Sequence, residues 1–424
     1  MIIGIDASRA NRRRKTGTEW YSYYLIRWLA KLDHKNNYIL YTNKPLDGGL
    51  LDLGTKNYTP GESIGKIRFD KQGYQIIKSP GNNFKAKVLR WPFTYFWTQG
   101  RLSLEMLFYR PDVLFIPAHA LPLIHPKKSV LTIHDIGYNE RGDAYNRHDM
   151  GRGKEALPGF LNFLVRIFTC GKYQANALDY LRWSSNHALK KSKQIISISN
   201  FTKKTITEIY GREKNITVIP NGYNAYLYKK INNKDKIEQT KKRYGIDGSY
   251  LFYIGRIERK KNISALIEAY AIMKDQNKNI KEKLVLVGDA SYGFDEIKYV
   301  IRQFDLLNDV IMPGWVNEDD IPYLYNGATA FVFPSLYEGF GIPLLQAMAC
   351  ETPIVASNKT SIPEVTAGAA LLFNPDFVCT MADALSQICQ GKKLREKLIN
   401  KGKERVQDFN WKKTAEKTLK VLIN

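Results

Sequence analysis

The chain has 424 residues, a length that suits two domains of roughly 200 residues each rather than one core. Its formal net charge is +23, and no apolar run approaches the ~18 residues that a membrane span needs. The chain begins directly with a strand-like segment and lacks the regions of a signal peptide. Its four cysteines show neither metal-site spacing nor a dense disulfide framework. These features argue against a membrane-spanning or disulfide-stapled protein and predict a cytoplasmic location.

The positive charge is concentrated in the first half of the chain. Residues 1–222 hold 35 Lys and Arg against 17 Asp and Glu, whereas residues 223–424 hold 29 against 24. Nucleic acid, an anionic membrane face and a phosphate-bearing substrate would each suit this asymmetry, and charge alone does not choose among them. A solubilising surface accounts for it as well.

Short apolar runs alternate with helical stretches along both halves, which predicts two parallel α/β domains. The boundary is expected near Asn221-Gly222, with residues 223–242 as a polar linker. Ligands of such sheets bind at the carboxyl ends of the strands, so we expect two facing, doubly wound Rossmann-like domains with a cleft between them. The predicted strands are residues 1–6, 38–41, 113–116, 130–133, 195–198 and 217–219, then 250–254, 284–287, 310–312, 330–333, 354–356 and 370–373.

Two stretches of the first half interleave aromatic and basic residues. These are residues 90–97, and the irregular region 137–193 with Phe160, Phe163, Phe168, Tyr173, Tyr180 and Trp183. Such a composition fits a helix lying on a membrane surface. Aromatic residues at helical spacing fit a protein core equally.

Three first-half positions follow predicted strands or open a predicted helix. Gly17 comes after a basic run at 12–15 and precedes a helix, where a strand-to-helix loop approaches phosphate. His134 and Asp135 end the strand 130–133, a place where open sheets carry catalytic groups. Such a pair either orients substrate hydroxyls or forms an acid-base unit, and a structural role is the alternative. His119 has the same two interpretations.

The segment after the strand 250–254 combines a glycine turn with fixed cations. Gly255 and Arg256 are followed by Lys261 and an amphipathic helix. Cations at a strand end are well placed to neutralise a diphosphate, which matters most when the diphosphate departs. A solvated basic turn is the alternative interpretation.

The segment 330–348 is the most informative. A buried strand ends at Pro334, Gly339-Phe340-Gly341 form a tight turn, and a helix resumes with Pro343 in its first turn. Unpaired backbone N–H groups at that helix start favour an anion. Glu338, just before them, suits a hydroxyl acceptor, so the segment predicts a ligand with phosphates and hydroxyls, such as a nucleotide sugar.

Several other chemistries lack their motifs. The sequence has no phosphate-binding P-loop, no nucleophile elbow and no zinc-binding His-Glu-x-x-His helix. No paired acidic motif suggests a divalent metal, so no metal cofactor is expected. The glycine spacing of a dinucleotide fingerprint is also missing, which argues against a dehydrogenase.

These blocks together resemble the retaining glycosyltransferases of family 4, which have the GT-B fold. The resemblance covers nearly the whole chain, and the blocks occur in the family's order. It implies a first domain of residues 1–222, completed by a crossover helix at 409–424, that binds the acceptor, and a second domain of residues 223–408 that binds the donor. The matching blocks are 16–17, 134–135, 197–203, 219–222, 255–262, 334–343 and 408–411.

The resemblance also implies residue roles. Arg256 and Lys261 hold the donor diphosphate, and His134 contacts the sugar near the reacting carbon. These three and Glu338 are the implied catalytic residues. The other implied contacts are Gly17, Gly255, Val316 beside the base, the amides of Gly339, Phe340 and Gly341, and, on the acceptor side, His119 and Asp135.

One position departs from the family pattern. The family has a second glutamate eight residues after the first, where it grips both ribose hydroxyls, and this chain has Gln346. Glutamine accepts one hydrogen bond and donates another, so altered ribose binding is expected rather than loss of activity.

The resemblance implies transfer of a sugar, of the mannose or rhamnose type, from a nucleotide donor to a growing surface polysaccharide or glycolipid. A lipid-linked acceptor would bring the protein to an anionic membrane. Two alternatives stay open: a GT-B-fold nucleotide-sugar epimerase, and a basic nucleic-acid-binding protein. The latter lacks a recognition helix or a base-stacking sheet, so no nucleic-acid partner is expected.

Overall fold

The computed structural model describes residues 1–55, 67–91, 96–139, 165–167, 171–289 and 294–424. They divide into two compact units, one of residues 1–221 with 411–424 and one of residues 222–410. Among the described residues no helix has the length and apolar character to cross a membrane.

The first unit contains a mostly parallel sheet in the order β3-β4-β2-β1-β5-β6-β7-β8. Its inner strands are apolar runs buried on both faces, as parallel sheets require. The strands are β1 Ile2–Asp6, β2 Asn37–Thr42, β3 Gln75–Ile76, β4 Phe84–Val88, β5 Val113–Ile116, β6 Ser129–Ile133, β7 Gln194–Ser197 and β8 Ile216–Val218. The helices are α1 Gly17–Leu32, α2 Ser103–Phe108, α3 Ala177–Lys191 and α4 Asn200–Tyr210.

Two strands of this sheet were not predicted from the sequence. β4 alternates apolar residues with Lys85 and Lys87, so it lacks a continuous apolar run. The Lys85 ammonium lies 3.7 Å from the centre of the Tyr74 ring, a cation–π contact. β3 is only two residues long and pairs antiparallel with β4. β3 is the edge strand and β4 is the next one in, so both lie on the side of the sheet where burial is incomplete and periodicity is weak.

The second unit contains a six-stranded sheet in the order β11-β10-β9-β12-β13-β14. Its strands are β9 Tyr250–Ile254, β10 Lys283–Val287, β11 Val310–Gly314, β12 Ala330–Phe333, β13 Ile354–Ser357 and β14 Leu371–Phe373. Its helices are α5 Lys234–Arg243, α6 Ile263–Gln276, α7 Phe294–Gln303, α8 Ile321–Gly327, α9 Ile342–Ala349, α10 Ile362–Thr366, α11 Val378–Gln390 and α12 Lys392–Val406. The last helix, α13 Trp411–Ile423, belongs to the first unit.

The predicted linker is wrong in its second half. Residues 234–243 form α5, whose start is capped when the Asn233 side chain accepts the Lys236 backbone N–H. At its end Arg243 donates to both carboxylate oxygens of Asp320 at 2.9 and 2.8 Å, and the Tyr244 hydroxyl donates to the same carboxylate at 2.7 Å. The many lysines of α5 made a helix lying on the domain surface look like a linker.

The aromatic-basic stretches are only partly described. In residues 90–97, Trp97 is buried and its indole N–H donates to the Leu89 carbonyl at 3.2 Å. Trp97 is therefore a core residue, and positions 92–95 lie outside the described residues. In the second stretch Tyr180 and Trp183 lie partly buried on α3, and Phe160, Phe163 and Phe168 lie outside the described residues.

Each sheet has one topological switch point. In the first sheet β1 lies between β2 and β5, and in the second β9 lies between β10 and β12, so the connections leave in opposite directions on the two sides. A crevice forms there outside the carboxyl ends of the strands, and ligands of open α/β sheets bind in it. The topology therefore predicts ligand-binding residues in the segments after Ile254 and Phe333, and in those after Asp6 and Ile116.

Candidate functional site

The segment after β9 folds into a hydrogen-bonded turn. The Gly255 N–H donates to the Val287 carbonyl at 3.0 Å, and the buried Tyr253 hydroxyl donates to the Arg256 carbonyl at 2.9 Å. These bonds fix the Arg256 backbone while its side chain remains 56% exposed, with its guanidinium 3.9 Å from the Glu258 carboxylate. Arg256 is thus a cation held at the carboxyl end of the sheet and still open to a ligand.

Lys261 and Glu338 meet at the switch point. The Lys261 ammonium donates to the Glu338 carboxylate, and both side chains are largely buried. The two loops are also joined through their backbones, since the Leu336 N–H donates to the Lys260 carbonyl at 3.1 Å. A cation and a carboxylate predicted separately from the sequence therefore form one polar centre.

The start of α9 lies directly beyond this pair along the chain. Gly341 has φ +96°, a conformation that favours glycine, and a Cβ there would lie 2.8 Å from a Leu344 side-chain carbon. Phe340 is buried with its ring 5.7 Å from that of Phe409, so its side chain belongs to the core. What the turn offers a ligand is the positive end of the helix.

The structure reveals a support for Glu338 that the sequence did not suggest. The Glu338 backbone N–H donates to Thr360 Oγ1 at 3.2 Å, and Ser361 Oγ donates to the Glu338 carbonyl at 2.9 Å. Thr360 has φ +59°, which costs energy for a β-branched residue. The loop after β13 thus holds Glu338 from both sides of its backbone. Two hydroxyl residues following a buried strand are the only sequence signal.

Thr360→Val tests this support. With the nucleotide sugar that the sequence predicts as ligand, we expect the catalytic efficiency to fall about fivefold to tenfold, because one net hydrogen bond is worth about 1 kcal/mol and the unpaired N–H adds a penalty. Thr360→Ser keeps the hydroxyl and should retain near wild-type kinetics. Steady-state kinetics of both variants provide the measurement, and equal losses in both would contradict the role of the hydroxyl.

Gln346 lies on α9, and Val316 follows β11. The Tyr325 hydroxyl donates to Gln346 Oε1 at 3.3 Å, so the amide nitrogen of Gln346 is the group it can offer to a ligand, as a donor. Val316 is buried just beyond the carboxyl end of β11, two strands from β9. Gly288 follows β10, the strand between β9 and β11, and its N–H donates to the Gly314 carbonyl at 3.0 Å.

In the first unit, α1 begins at Gly17 with a capping box. The Thr16 hydroxyl donates to the Glu19 carboxylate, and the Thr16 backbone N–H donates to it at 3.1 Å. Burial alone would raise the pKa of Glu19, but the Thr16 hydrogen bond and the charges of Arg9 and Arg12 hold it below its usual value. Nothing lies within 4 Å of a Cβ at Gly17, so the space beside the helix start is open.

His134 lies partly buried at the end of β6. Its Nε2–H donates to the Pro117 carbonyl at 3.0 Å, and its ring meets the Tyr21 ring edge to face at 4.8 Å. Burial, assisted by Arg9, lowers the pKa of His134 despite the Pro117 carbonyl. The ring is therefore neutral at pH 7 with its proton on Nε2, which leaves Nδ1 as a hydrogen-bond acceptor.

His119 and Asp135 belong to the same cluster. Burial lowers the pKa of His119 to about 3, with Arg9 acting in the same direction and Asp135 opposing it. His119 is therefore also neutral at pH 7. Neither histidine carries the charge of a general acid in the resting protein.

The lowered pKa of His119 predicts a pH effect on stability. Between the unfolded pKa near 6.5 and the folded value the unfolded chain binds the extra proton, so stability falls as the pH is lowered. His119→Gln should lose less stability than wild type between pH 7 and pH 5, by at most about 2 kcal/mol. Urea unfolding at the two pH values measures the difference. If wild type and His119→Gln lost equal stability between the two pH values, the pKa of His119 in the folded protein would lie near its ordinary value.

Comparison with known proteins agrees with this architecture. A model described as "Glycosyltransferase Family 4" matches residues 15–226, half of the chain, and one described as "Glycosyl transferases group 1" matches residues 236–405. O-antigen chain mannosyltransferase B of Escherichia coli is 29% identical over 323 residues, 76% of this chain and 82% of that protein. O-antigen chain mannosyltransferase RfbU of Salmonella typhimurium is 24% identical over 329 residues, covering 76% and 78%.

Solved structures share the fold at low identity. WaaG, a glycosyltransferase involved in lipopolysaccharide biosynthesis, matches with a TM-score of 0.67 at 14% identity, covering 100% of this chain and 99% of that one. Anabaena HepE, in complex with UDP and glucose, matches with a TM-score of 0.65 at 16% identity, covering 100% and 99%.

The fold and the polar centres at its switch points define a glycosyltransferase with the GT-B fold. The chain belongs to glycosyltransferase family 4. The predicted family and fold class are thus confirmed.

Proposed function

We propose that the second unit binds a nucleoside-diphosphate sugar at the carboxyl ends of β9 and β12. The observation that carries this proposal is the buried Lys261–Glu338 pair, beside the start of α9 and the fixed Arg256. Phosphate oxygens suit Arg256, Lys261 and the helix N–H groups, while a sugar hydroxyl suits the Glu338 carboxylate. Gln346 would donate to one ribose hydroxyl, and the backbone around Val316 would flank the base.

We further propose that the transferred sugar is mannose. Two relatives that cover most of this chain bear the name O-antigen chain mannosyltransferase. The acceptor would be a growing surface polysaccharide or glycolipid, bound by the first unit through residues that include His119 and Asp135. No metal is needed in this scheme, because fixed cations neutralise the diphosphate.

The proposed transfer retains the anomeric configuration. The bond from the sugar's anomeric carbon to the diphosphate oxygen breaks, and the acceptor hydroxyl forms its bond on the same face while its proton passes to a phosphate oxygen. Arg256 and Lys261 stabilise the leaving diphosphate. In the first unit, neutral His134 would accept a hydrogen bond from a substrate hydroxyl through Nδ1.

Incubation with GDP-mannose, dTDP-rhamnose, UDP-glucose or UDP-N-acetylglucosamine and an acceptor glycolipid tests the proposal. We expect release of nucleoside diphosphate from one donor only when acceptor is present, and a product with the donor's anomeric configuration by NMR. Acceptor-independent conversion of the nucleotide sugar would indicate an epimerase. An inverted product linkage would contradict the proposed mechanism.

A further inference from the structure

Helix α2 exposes apolar side chains to solvent and buries its acidic side chain. Its exposed side chains are Leu104, Leu107 and Phe108, and its acidic residue Glu105 is buried. A helix on the surface of a soluble domain has the opposite arrangement, with polar residues towards water. The exposed side of α2 is therefore apolar without serving the core.

Neighbouring residues enlarge this surface. Tyr109 follows α2 directly, and the Leu123 backbone N–H donates to Ser103 Oγ at the start of α2 at 2.9 Å. Single exposed apolar residues are ordinary, whereas an adjoining group marks an interaction surface. The α2 patch comprises Leu104, Leu107, Phe108, Tyr109 and Leu123, whose exposed fractions range from 47% to 73%.

Cations border the α2 patch. Glu105 is the one acidic residue of segment 97–110, and it is paired with Lys87 at 2.5 Å and Arg101 at 3.3 Å. The Lys87 ammonium also lies 4.2 Å from the centre of the Tyr109 ring. Arg110 is exposed, and its Nε donates to the Met106 carbonyl of α2 at 2.7 Å. The apolar surface therefore carries a net positive border.

We propose that the α2 patch docks the first unit on an anionic lipid bilayer. Apolar side chains of a surface helix enter the boundary between headgroups and acyl chains, while lysine and arginine beside them contact lipid phosphates. The positive excess of the first half suits this occupant better than an apolar protein groove. The α2 patch lies outside the two aromatic-basic stretches of the sequence analysis, 90–97 and 137–193. This inference does not depend on the identity of the sugar donor.

Co-sedimentation with vesicles tests the docking surface. Wild-type protein should bind vesicles of phosphatidylcholine with one third phosphatidylglycerol and bind phosphatidylcholine alone weakly. Leu107→Ser/Phe108→Ser should weaken binding to the anionic vesicles at least about tenfold. Arg110→Glu should weaken binding to the anionic vesicles and leave the weak binding to phosphatidylcholine vesicles unchanged. Both changes are at exposed positions, and unchanged melting temperatures verify folding.

A matched control lies in the second unit, where Tyr299 and Leu307 are equally exposed. Tyr299→Ser/Leu307→Ser should bind vesicles like wild type. The proposal is overturned if wild type does not bind anionic vesicles, or if the patch variant binds as well as the control. If wild type did not bind vesicles but formed dimers, and the patch variant were monomeric, the surface would bind a second copy of the chain instead.

Discussion

Glu338→Ala is expected to lower kcat/KM for GDP-mannose about a hundredfold or more. Removing one member of a buried ion pair leaves the other charge uncompensated, which costs about 3–5 kcal/mol of folding stability. Here the remaining charge is that of Lys261, whose ammonium loses the carboxylate that positions it. The variant also lacks the acceptor for a sugar hydroxyl, so both halves of the proposed donor contact fail. Steady-state kinetics of transfer measure the loss.

The control for this variant is an ion pair in the same unit away from the switch point. Lys274 and Asp309 lie 3.1 Å apart and are more exposed than the Lys261–Glu338 pair. Asp309→Ala should leave kcat/KM within about twofold of wild type, since this pair lies away from the switch point and is nearer to solvent. If Glu338→Ala retained more than about a tenth of the wild-type value, the pair would be structural only.

Gly288→Ala is expected to lower the melting temperature of the second unit by roughly 6 to 12 °C, from an overpacking cost of about 3 kcal/mol. A Cβ at Gly288 would lie 1.8 Å from the Gly255 carbonyl oxygen, so the turn after β9 must move. That turn carries Arg256, and donor binding should weaken together with stability. Differential scanning calorimetry measures the transition.

Gly17→Ala provides the comparison. A Cβ at Gly17 meets nothing within 4 Å, and the residue opens α1, where alanine is favourable. Its melting temperature should match or slightly exceed that of wild type. A Gly288→Ala protein that melts like Gly17→Ala would show that the β9 turn adapts without cost.

The sequence predicted β9 and β12, the strands that precede Arg256 and Glu338, because each is a buried apolar run with a clear end. Tyr250–Ile254 and Ala330–Phe333 are continuous apolar runs ended by glycine and proline, and the structure has both with the predicted bounds. β4, next to the edge strand, lacks that signal, since its partly buried positions alternate with buried ones and include Lys85 and Lys87. The hydrophobic pattern of a strand thus indicates how deeply the strand is buried.

Within the site, the sequence predicted the residues whose side chains are charged. Arg256, Lys261 and Glu338 drew attention as charges beside glycine turns. Thr360 did not, because its effect depends on a contact with a backbone 22 residues away, and hydroxyl residues in loops are common. The pairing of Lys261 with Glu338, 77 residues apart, likewise follows from strand order, which no local pattern encodes.

Isothermal titration of GDP-mannose into wild-type protein, Glu338→Ala and Asp309→Ala tests the central claim most directly. Wild type and Asp309→Ala should bind the nucleotide sugar with equal affinity, and Glu338→Ala should bind it at least about tenfold more weakly. Equal affinities in all three proteins would contradict the assignment of the donor site to the Lys261–Glu338 pair.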